Sequence, residues 1–450
     1  MTPLVPLALW GWPPAVLWLY SKLTPRRAAI AGFLLAWMFL PQYSYPFPGL
    51  PKYGKIMAAC AGILLGTAVF DSERFSTFQF RIIDMPMVLW CLSPVMASLT
   101  NDLGLYDGIS AMKNYVMEWA FPYYIGRLYF RDLASLRELA IGIFLGGVFY
   151  SPFCLVEMVI SPQLHNIAYG FHPAEFGQSL RGGGYRPVVF MAHGLMVAMW
   201  MVSACLTGVT LLKHQFIPTN LPFLNWVKPA WLVLGLLATT VLCKSMGALV
   251  LLIFGLAVIV ISTKFRTPIL VYVLMLIPIF YMTTRGTASW DGMNVVRFIS
   301  DTFSADRAAS LQFRLENENV LIDKAMQRPV FGWGGWGRSR VYNAEGRDVT
   351  ITDGYWIIIL GTTGLFGLAG LTLIILTPAV LFLRAYPVST WSIPAVSAAV
   401  PLAILLCLFM IDSLLNAMPS PIYMLAAGGL SSLALERRGG EEVKESERPP

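Results

Sequence analysis

Apolar runs long enough to cross a lipid bilayer recur along this chain, and they constrain its fold more than any other feature. A helix needs roughly 20 apolar residues to traverse the hydrocarbon core, where every backbone N–H and C=O must be satisfied within the protein. Such runs occupy 4–20, 28–41, 55–70, 83–99, 112–128, 138–160, 188–211, 229–243, 246–262, 268–283, 355–383, 393–411 and 421–435. They predict an all-α polytopic membrane protein of 12–13 transmembrane helices, the eighth and ninth runs being short and the eleventh long. Only 13% of the 450 residues are charged, against about 25% in ordinary soluble domains.

The first run is not a signal peptide by pattern, because Lys22, Arg26 and Arg27 follow it instead of preceding it. It reads as a first span with its N-terminus outside. Basic residues favour cytoplasmic loops, and one alternation accounts for Lys22/Arg26/Arg27, Arg74/Arg81, Arg127/Arg131/Arg137, Lys213/Lys228, Lys264/Arg266, Arg384 and Arg437/Arg438 on the inside. Residues 1–435 then form one membrane domain, and 436–450, charged and ending in proline, a disordered cytoplasmic tail. Cys60, Cys91, Cys154, Cys205, Cys243 and Cys407 lie in apolar runs at no metal or disulfide spacing, and read as small buried hydrophobes.

Two outside connections are long: 161–187 and 284–354. Long loops are usually functional or disordered. The larger one carries Trp290, Trp333, Trp336 and Tyr342 with nine Lys/Arg and nine Asp/Glu, a composition that predicts order. Within it, 304–327 has helical apolar spacing, with Ser304 as its N-cap, Pro329 as its stop, and Arg307, Arg314 and Glu318 on a shared face. The following Phe331-Gly332-Trp333-Gly334-Gly335-Trp336-Gly337 is either a platform whose indoles stack on a flat ligand or a glycine-rich turn anchored at the membrane interface.

The outside arginines stand out. Arg181 and Arg186 flank three glycines before the seventh span; Arg314 and Arg328 lie in the large loop, with Arg338 and Arg340 after its glycines. Guanidinium forks match phosphate oxygens and keep their charge. The alternative is pairing with Glu175, Glu316 or Glu318, or with lipid headgroups. If the seventh span is helical from 188, His193 lies about 10 Å deeper than Arg186 on one face, as a packing residue or a base. Glu118, Glu157 and Asp412 lie in or near spans, where ionisable residues suggest function. Asp353 opens the eleventh span as either a helix N-cap or a base facing the membrane surface. No phosphate-binding glycine loop, paired-cysteine metal site, His-Glu-x-x-His or nucleophile elbow occurs, and nucleic acid is not an expected partner.

Several pieces together resemble the O-antigen ligase and O-antigen polymerase superfamily, polytopic transferases that use undecaprenyl-diphosphate-linked glycans. They are Tyr123-Tyr124-Ile125-Gly126-Arg127 before an inside loop, Arg181 to Arg186-Pro187 entering a span, Arg314 in a helix leading to Arg328-Pro329-Val330-Phe331-Gly332-Trp333-Gly334, and Asp353-Gly354-Tyr355 opening a span. The resemblance implies a bacterial inner-membrane enzyme in surface polysaccharide synthesis, with its active side periplasmic beneath the large loop. It implies that Arg186 and Arg314, joined by Arg181 and Arg328, hold the donor diphosphate. An acceptor hydroxyl of a glycan or lipid attacks the anomeric carbon with inversion, with no metal or other cofactor, and Gly332, Trp333, Gly334 and Tyr355 contact the glycan. The ligases carry a histidine at the start of the span after the large loop. Here that place holds Asp353, and no histidine follows His214. Asp353 or His193 is then the catalytic base, and polymerisation is as open as ligation. Membrane lipids are expected partners, and a chain-length regulator is a further one the family suggests. A flippase of lipid-linked intermediates would bury charges deep in several spans, whereas a non-catalytic scaffold would tolerate loss of the outside arginines.

Overall fold

A computed structural model describes residues 1–181, 183–218, 227–302, 305–335 and 337–446, with side chains described through Leu435. The described residues are almost all helical. The helices are α1 (Leu4–Lys22), α2 (Pro25–Phe39), α3 (Lys55–Phe70), α4 (Met85–Leu99), α5 (Leu105–Tyr115), α6 (Phe121–Tyr129), α7 (Leu133–Ile160), α8 (Leu164–Tyr169) and α9 (Gly194–Lys213). They continue with α10 (Pro229–Leu242), α11 (Met246–Phe265), α12 (Ile269–Gly286), α13 (Met293–Thr302), α14 (Ala305–Ala325), α15 (Tyr355–Ala385), α16 (Pro394–Ser397), α17 (Val400–Leu415) and α18 (Ile422–Ser446). Two short antiparallel hairpins interrupt them: β1 (Ser44–Tyr45) with β2 (Tyr53–Gly54), and β3 (Leu180–Arg181) with β4 (Gly184–Tyr185).

Every expected span overlaps a helix, two of them only in part. Among the described residues seven helical stretches are long and apolar enough to cross a membrane: Ile82–Leu99, α7, α9, α11, α12, α15 and Pro394–Leu415. Helices α3, α10 and Ile422–Leu435 are apolar but shorter. The chain is thus an all-α protein with membrane-spanning character. In the stretch 436–450, expected to be disordered, the backbone of α18 is described to Ser446, and the side chains of that stretch lie outside the described ones. The N-cap expected at Ser304 also lies outside the described residues.

Helix α15 sits at the centre, against α4, α17 and α18, and α18 crosses α6. That crossing depends on small residues, as is common between membrane helices. A Cβ on Gly126 would meet the Leu425 carbonyl, and one on Gly428 would meet that of Tyr123. The Tyr-Tyr-Ile-Gly-Arg stretch is therefore a packing seam, closed by a buried ion pair of Arg127 with Asp84 at 3.0 Å. Tyr123 donates to the same carboxylate at 2.8 Å.

Two expected spans are broken. The run at 112–128 is not one regular helix: a π-turn, Val116–Ala120, separates α5 from α6. The run at 188–211 becomes helical only at Gly194. Its first residues are diverted by Glu157 of α7, a fully buried carboxylate that accepts from the backbone N–H of Val188 (2.8 Å), Val189 (2.7 Å) and Leu164 (2.9 Å). Tyr150 Oη accepts from the Phe190 N–H at 3.0 Å. These contacts hold 188–190 as a turn ahead of the helix. Val189 consequently sits at φ 52°, a conformation a β-branched residue adopts only when the surroundings impose it. Glu157 thus organises the loop that delivers Arg186.

Candidate functional site

The middle of α14, the start of α15 and the end of α17 bring Arg314 and Asp353 together. On α14, Arg314 pairs through Nε with Asp353 Oδ2 at 3.2 Å and donates from Nη1 to the Leu415 carbonyl at 3.2 Å. Asp353 is not a helix cap. The N-cap of α15 is Gly354, whose missing side chain lets the chain pass against the Leu414 carbonyl. This close approach sets Asp353 beside the C-terminus of α17, and among the described residues no hydrogen bond holds its Oδ1. Asp412 lies buried one turn back on α17 and accepts from Asn416 at 2.7 Å.

What fixes Arg314 was not evident in the sequence. Glu318, one turn further along α14, does not share an open face with Arg307 and Arg314 but is buried. It accepts from Arg285 Nε (2.8 Å), Tyr281 Oη (2.9 Å) and Trp356 Nε1 (2.7 Å), side chains of α12 and α15. Arg285 also donates to Asn319 Oδ1 at 2.7 Å and to the carbonyls of Leu315 and Trp290. One carboxylate so ties the large loop to two helices. A lone arginine at the end of an apolar run was the available signal.

Arg186 lies opposite this pair. Its stem passes over Gly194, where a Cβ would collide with it, and one Nη donates to the Lys244 carbonyl at 3.2 Å. It is 7% exposed, its Nε has no partner, and neither it nor Arg181 makes an ion pair among the described residues. Burial, the Arg181 guanidinium and then that of Arg314 lower its pKa to about 10, which places each of those two arginines within electrostatic reach of Arg186. The Lys244 ammonium donates to the Arg181 carbonyl at 3.2 Å. The expected pairing of these arginines with Glu175, Glu316 or Glu318 does not occur.

His193 is not two turns down a helix from Arg186. It is the N-cap of α9: Nδ1 accepts from the Leu195 N–H at 3.1 Å, and Nε2 lies 3.0 Å from Gln178 Oε1. An accepting Nδ1 places the proton on Nε2, which donates to the amide oxygen. Burial, Arg186 and Arg181 push its pKa down to about 4, so the ring is neutral. Both nitrogens being engaged, the geometry gives it a positioning role next to Arg186.

The glycine-tryptophan loop is a clasp instead of a platform. Helix α15 is broken at Gly364 (φ 67°), and the loop docks into the break. Leu365 N–H donates to the Pro329 carbonyl (2.7 Å), Phe366 N–H to Val330 (3.0 Å), Trp333 N–H to Gly361 (2.9 Å) and Gly334 N–H to Thr362 (3.0 Å). Gly332, at φ 70°, faces the Gly364 amide so closely that no Cβ fits on either residue. The Trp333 indole donates to the Lys324 carbonyl at 2.7 Å and lies against the Lys324 ammonium and the Arg328 guanidinium. Arg328 donates to the Thr100 carbonyl, Arg338 to that of Trp333, and Arg340 pairs with Asp348. Arg338 and Arg340 thus bond within the loop, and Arg328 ties it to the end of α4. Trp336 lies outside the described residues.

Tyr355 stacks on Trp119 with ring centroids 6.0 Å apart. It lines a largely apolar cavity with Pro94, Ala97, Tyr115, Gly334 and Thr362. The local balance is thus four cations, Arg181, Arg186, Lys244 and Arg314, against Asp353 and the buried Asp412. Such a site can hold an anion with two or more oxygens and can take a proton at Asp353. In comparisons with known proteins, no family model matches the chain and no curated protein does.

Proposed function

We propose that this protein is a glycan transferase of the O-antigen ligase or polymerase kind, acting on an undecaprenyl-diphosphate-linked donor. Arg186 carries the reading. A buried guanidinium without an acidic partner is costly unless a ligand anion completes it, and two further arginines surround the same space. In this reading the diphosphate lies between Arg186, Arg181 and Arg314, whose Nη2 has no partner among the described residues. The acceptor hydroxyl oxygen attacks the anomeric carbon as its bond to the phosphate oxygen breaks. Undecaprenyl diphosphate leaves with the electron pair, and Asp353 Oδ1 takes the hydroxyl proton. Preorganised cations stabilise the charge growing on the leaving group. The acceptor is a glycan or a lipid-linked core.

The same reading gives 12–13 spans, an inner-membrane location, a cytoplasmic C-terminus and 284–354 as the large periplasmic loop. The test is surface glycan analysis of a deletion strain complemented with wild type, Arg186→Ala or Arg314→Ala. Wild type is expected to restore long polymer, and either variant, at normal protein level, to leave single lipid-linked repeats. Full-length polymer retained on undecaprenyl diphosphate would identify a ligase. Wild-type glycan from both variants would overturn the reading, in favour of a scaffold or a flippase.

A further inference from the structure

A second cavity borders the arginine site, and its lining differs in kind. Its volume is about 320 Å³, at the lower end of the roughly 300–1,000 Å³ usual for small-ligand pockets. Polar groups converge on it from separate elements: Glu118 and Asn114 from the α5–α6 segment, Lys52 and Ser44 from the first hairpin, and Gln42. Trp37, Tyr43 and Trp119 add aromatic surface. Glu118 sits on the π-turn Val116–Ala120. Single π-turns are costly, are rare in helices and are frequent at functional sites. The extra residue per turn faces Glu118 into the cavity beside Trp119.

The cavity's charges are unspent. Among the described residues Glu118 makes no hydrogen bond or ion pair, and Lys52 attracts it without closing to a salt bridge. Lys55 is buried, donates to the Trp37 carbonyl at 3.0 Å and lies over the Trp37 ring. Carboxylate, amide, hydroxyl and ammonium groups beside aromatic rings match a polyhydroxylated ligand, which needs acceptors and donors in alternation. Three walls adjoin the transferase site. Ala192 and Met196 flank His193 and Gly194; Pro419, Ser420 and Pro421 follow the end of α17 that binds Arg314; and Trp119 stacks on Tyr355, two residues beyond Asp353.

We propose that this cavity is the acceptor subsite, taking the non-reducing end of a saccharide chain whose hydroxyls bind Glu118 and Asn114. The assignment rests on the transferase reading for the word acceptor, but its sugar binding is separately measurable. The probe is the set of oligosaccharides released by mild acid from the host's own surface polysaccharide, free of lipid and phosphate. Binding to the full-length protein in nanodiscs is read from tryptophan fluorescence and calorimetry. Wild type and Arg186→Ala are expected to bind alike, because the diphosphate site is not used. Glu118→Gln keeps shape and removes charge, and Ala192→Trp fills the cavity without touching a polar group; each is expected to weaken binding at least about tenfold. Unchanged binding in both variants, or no binding by wild type, overturns the subsite. Should Arg186→Ala and Arg314→Ala restore normal polymer while Glu118→Gln loses the sugar, the transferase reading fails and the saccharide cavity stands.

Discussion

Arg285 grips Glu318 at 2.8 Å inside the protein, one helical turn from the arginine that pairs with Asp353. Their side chains are 1% and 7% exposed. Removing one partner of such a pair costs roughly 3–5 kcal/mol, because the other charge is left buried and alone. Arg285→Ala should lower the unfolding temperature in detergent and expose the 284–354 loop to protease. Replacing both residues by apolar ones should cost less than either single change. A loop as protease-resistant in Arg285→Ala as in wild type would show that the pair does not hold it.

At Arg314 the geometry of the head matters as well as its charge. One guanidinium serves Asp353 and the Leu415 carbonyl at once, and an ammonium cannot reproduce that fork. Arg314→Lys should therefore retain only a minor part of the polymer yield, above Arg314→Ala and well below wild type, at equal protein level.

The clasp predicts a steep contrast between glycines. Gly332 and Gly364 both have positive φ and no room for a Cβ, whereas Gly335 has φ 70° and open space around it. Gly335→Ala should cost about 1–2 kcal/mol from backbone strain alone. Gly332→Ala or Gly364→Ala should cost clearly more, since the collision is with backbone. Unfolding midpoints of the three purified variants give the comparison.

His193 gives a pH dependence with a definite sign. Its folded pKa, about 4, lies below the ordinary value of 6.5. Above pH 6.5 the ring is neutral whether folded or unfolded. As pH falls from 6.5 to 4, the unfolded chain binds a proton that the native state refuses, so stability drops by up to about 3 kcal/mol. His193→Asn should flatten that acid limb while still capping α9, and should keep normal polymer at neutral pH. Loss of product with the helix cap intact would restore the imidazole as a base.

The helices were legible in the sequence because a bilayer demands long apolar runs, and each run became a helix. Arg186, Arg314 and Asp353 were legible as charges lacking an obvious reason, and they do lie together. The beginning of the seventh run was not. Its residues are apolar enough for helix, but their amides are claimed by Glu157, thirty residues upstream, and no local pattern carries that bond. In the sequence Phe331–Gly337 stays open between a platform and a turn for a related reason. Tryptophans between glycines suit a ligand platform equally well as a backbone clasp, and only the partner at Gly361–Gly364 decides. The π-turn left no trace in periodicity, since one inserted residue per turn is lost within an 11-residue window.

The break in α15 also governs how the site can move. Four backbone hydrogen bonds fasten Pro329–Gly334 into that helix, and Glu318 fastens α14 to its first turn. The large loop is therefore bolted at both ends to the central helix, and it cannot swing as a flap over the arginines. The segment carrying Arg186 is fastened differently, by the side chains of Glu157 and Tyr150 instead of a helical ladder: one wall is bolted backbone to backbone, the other hangs on two side chains.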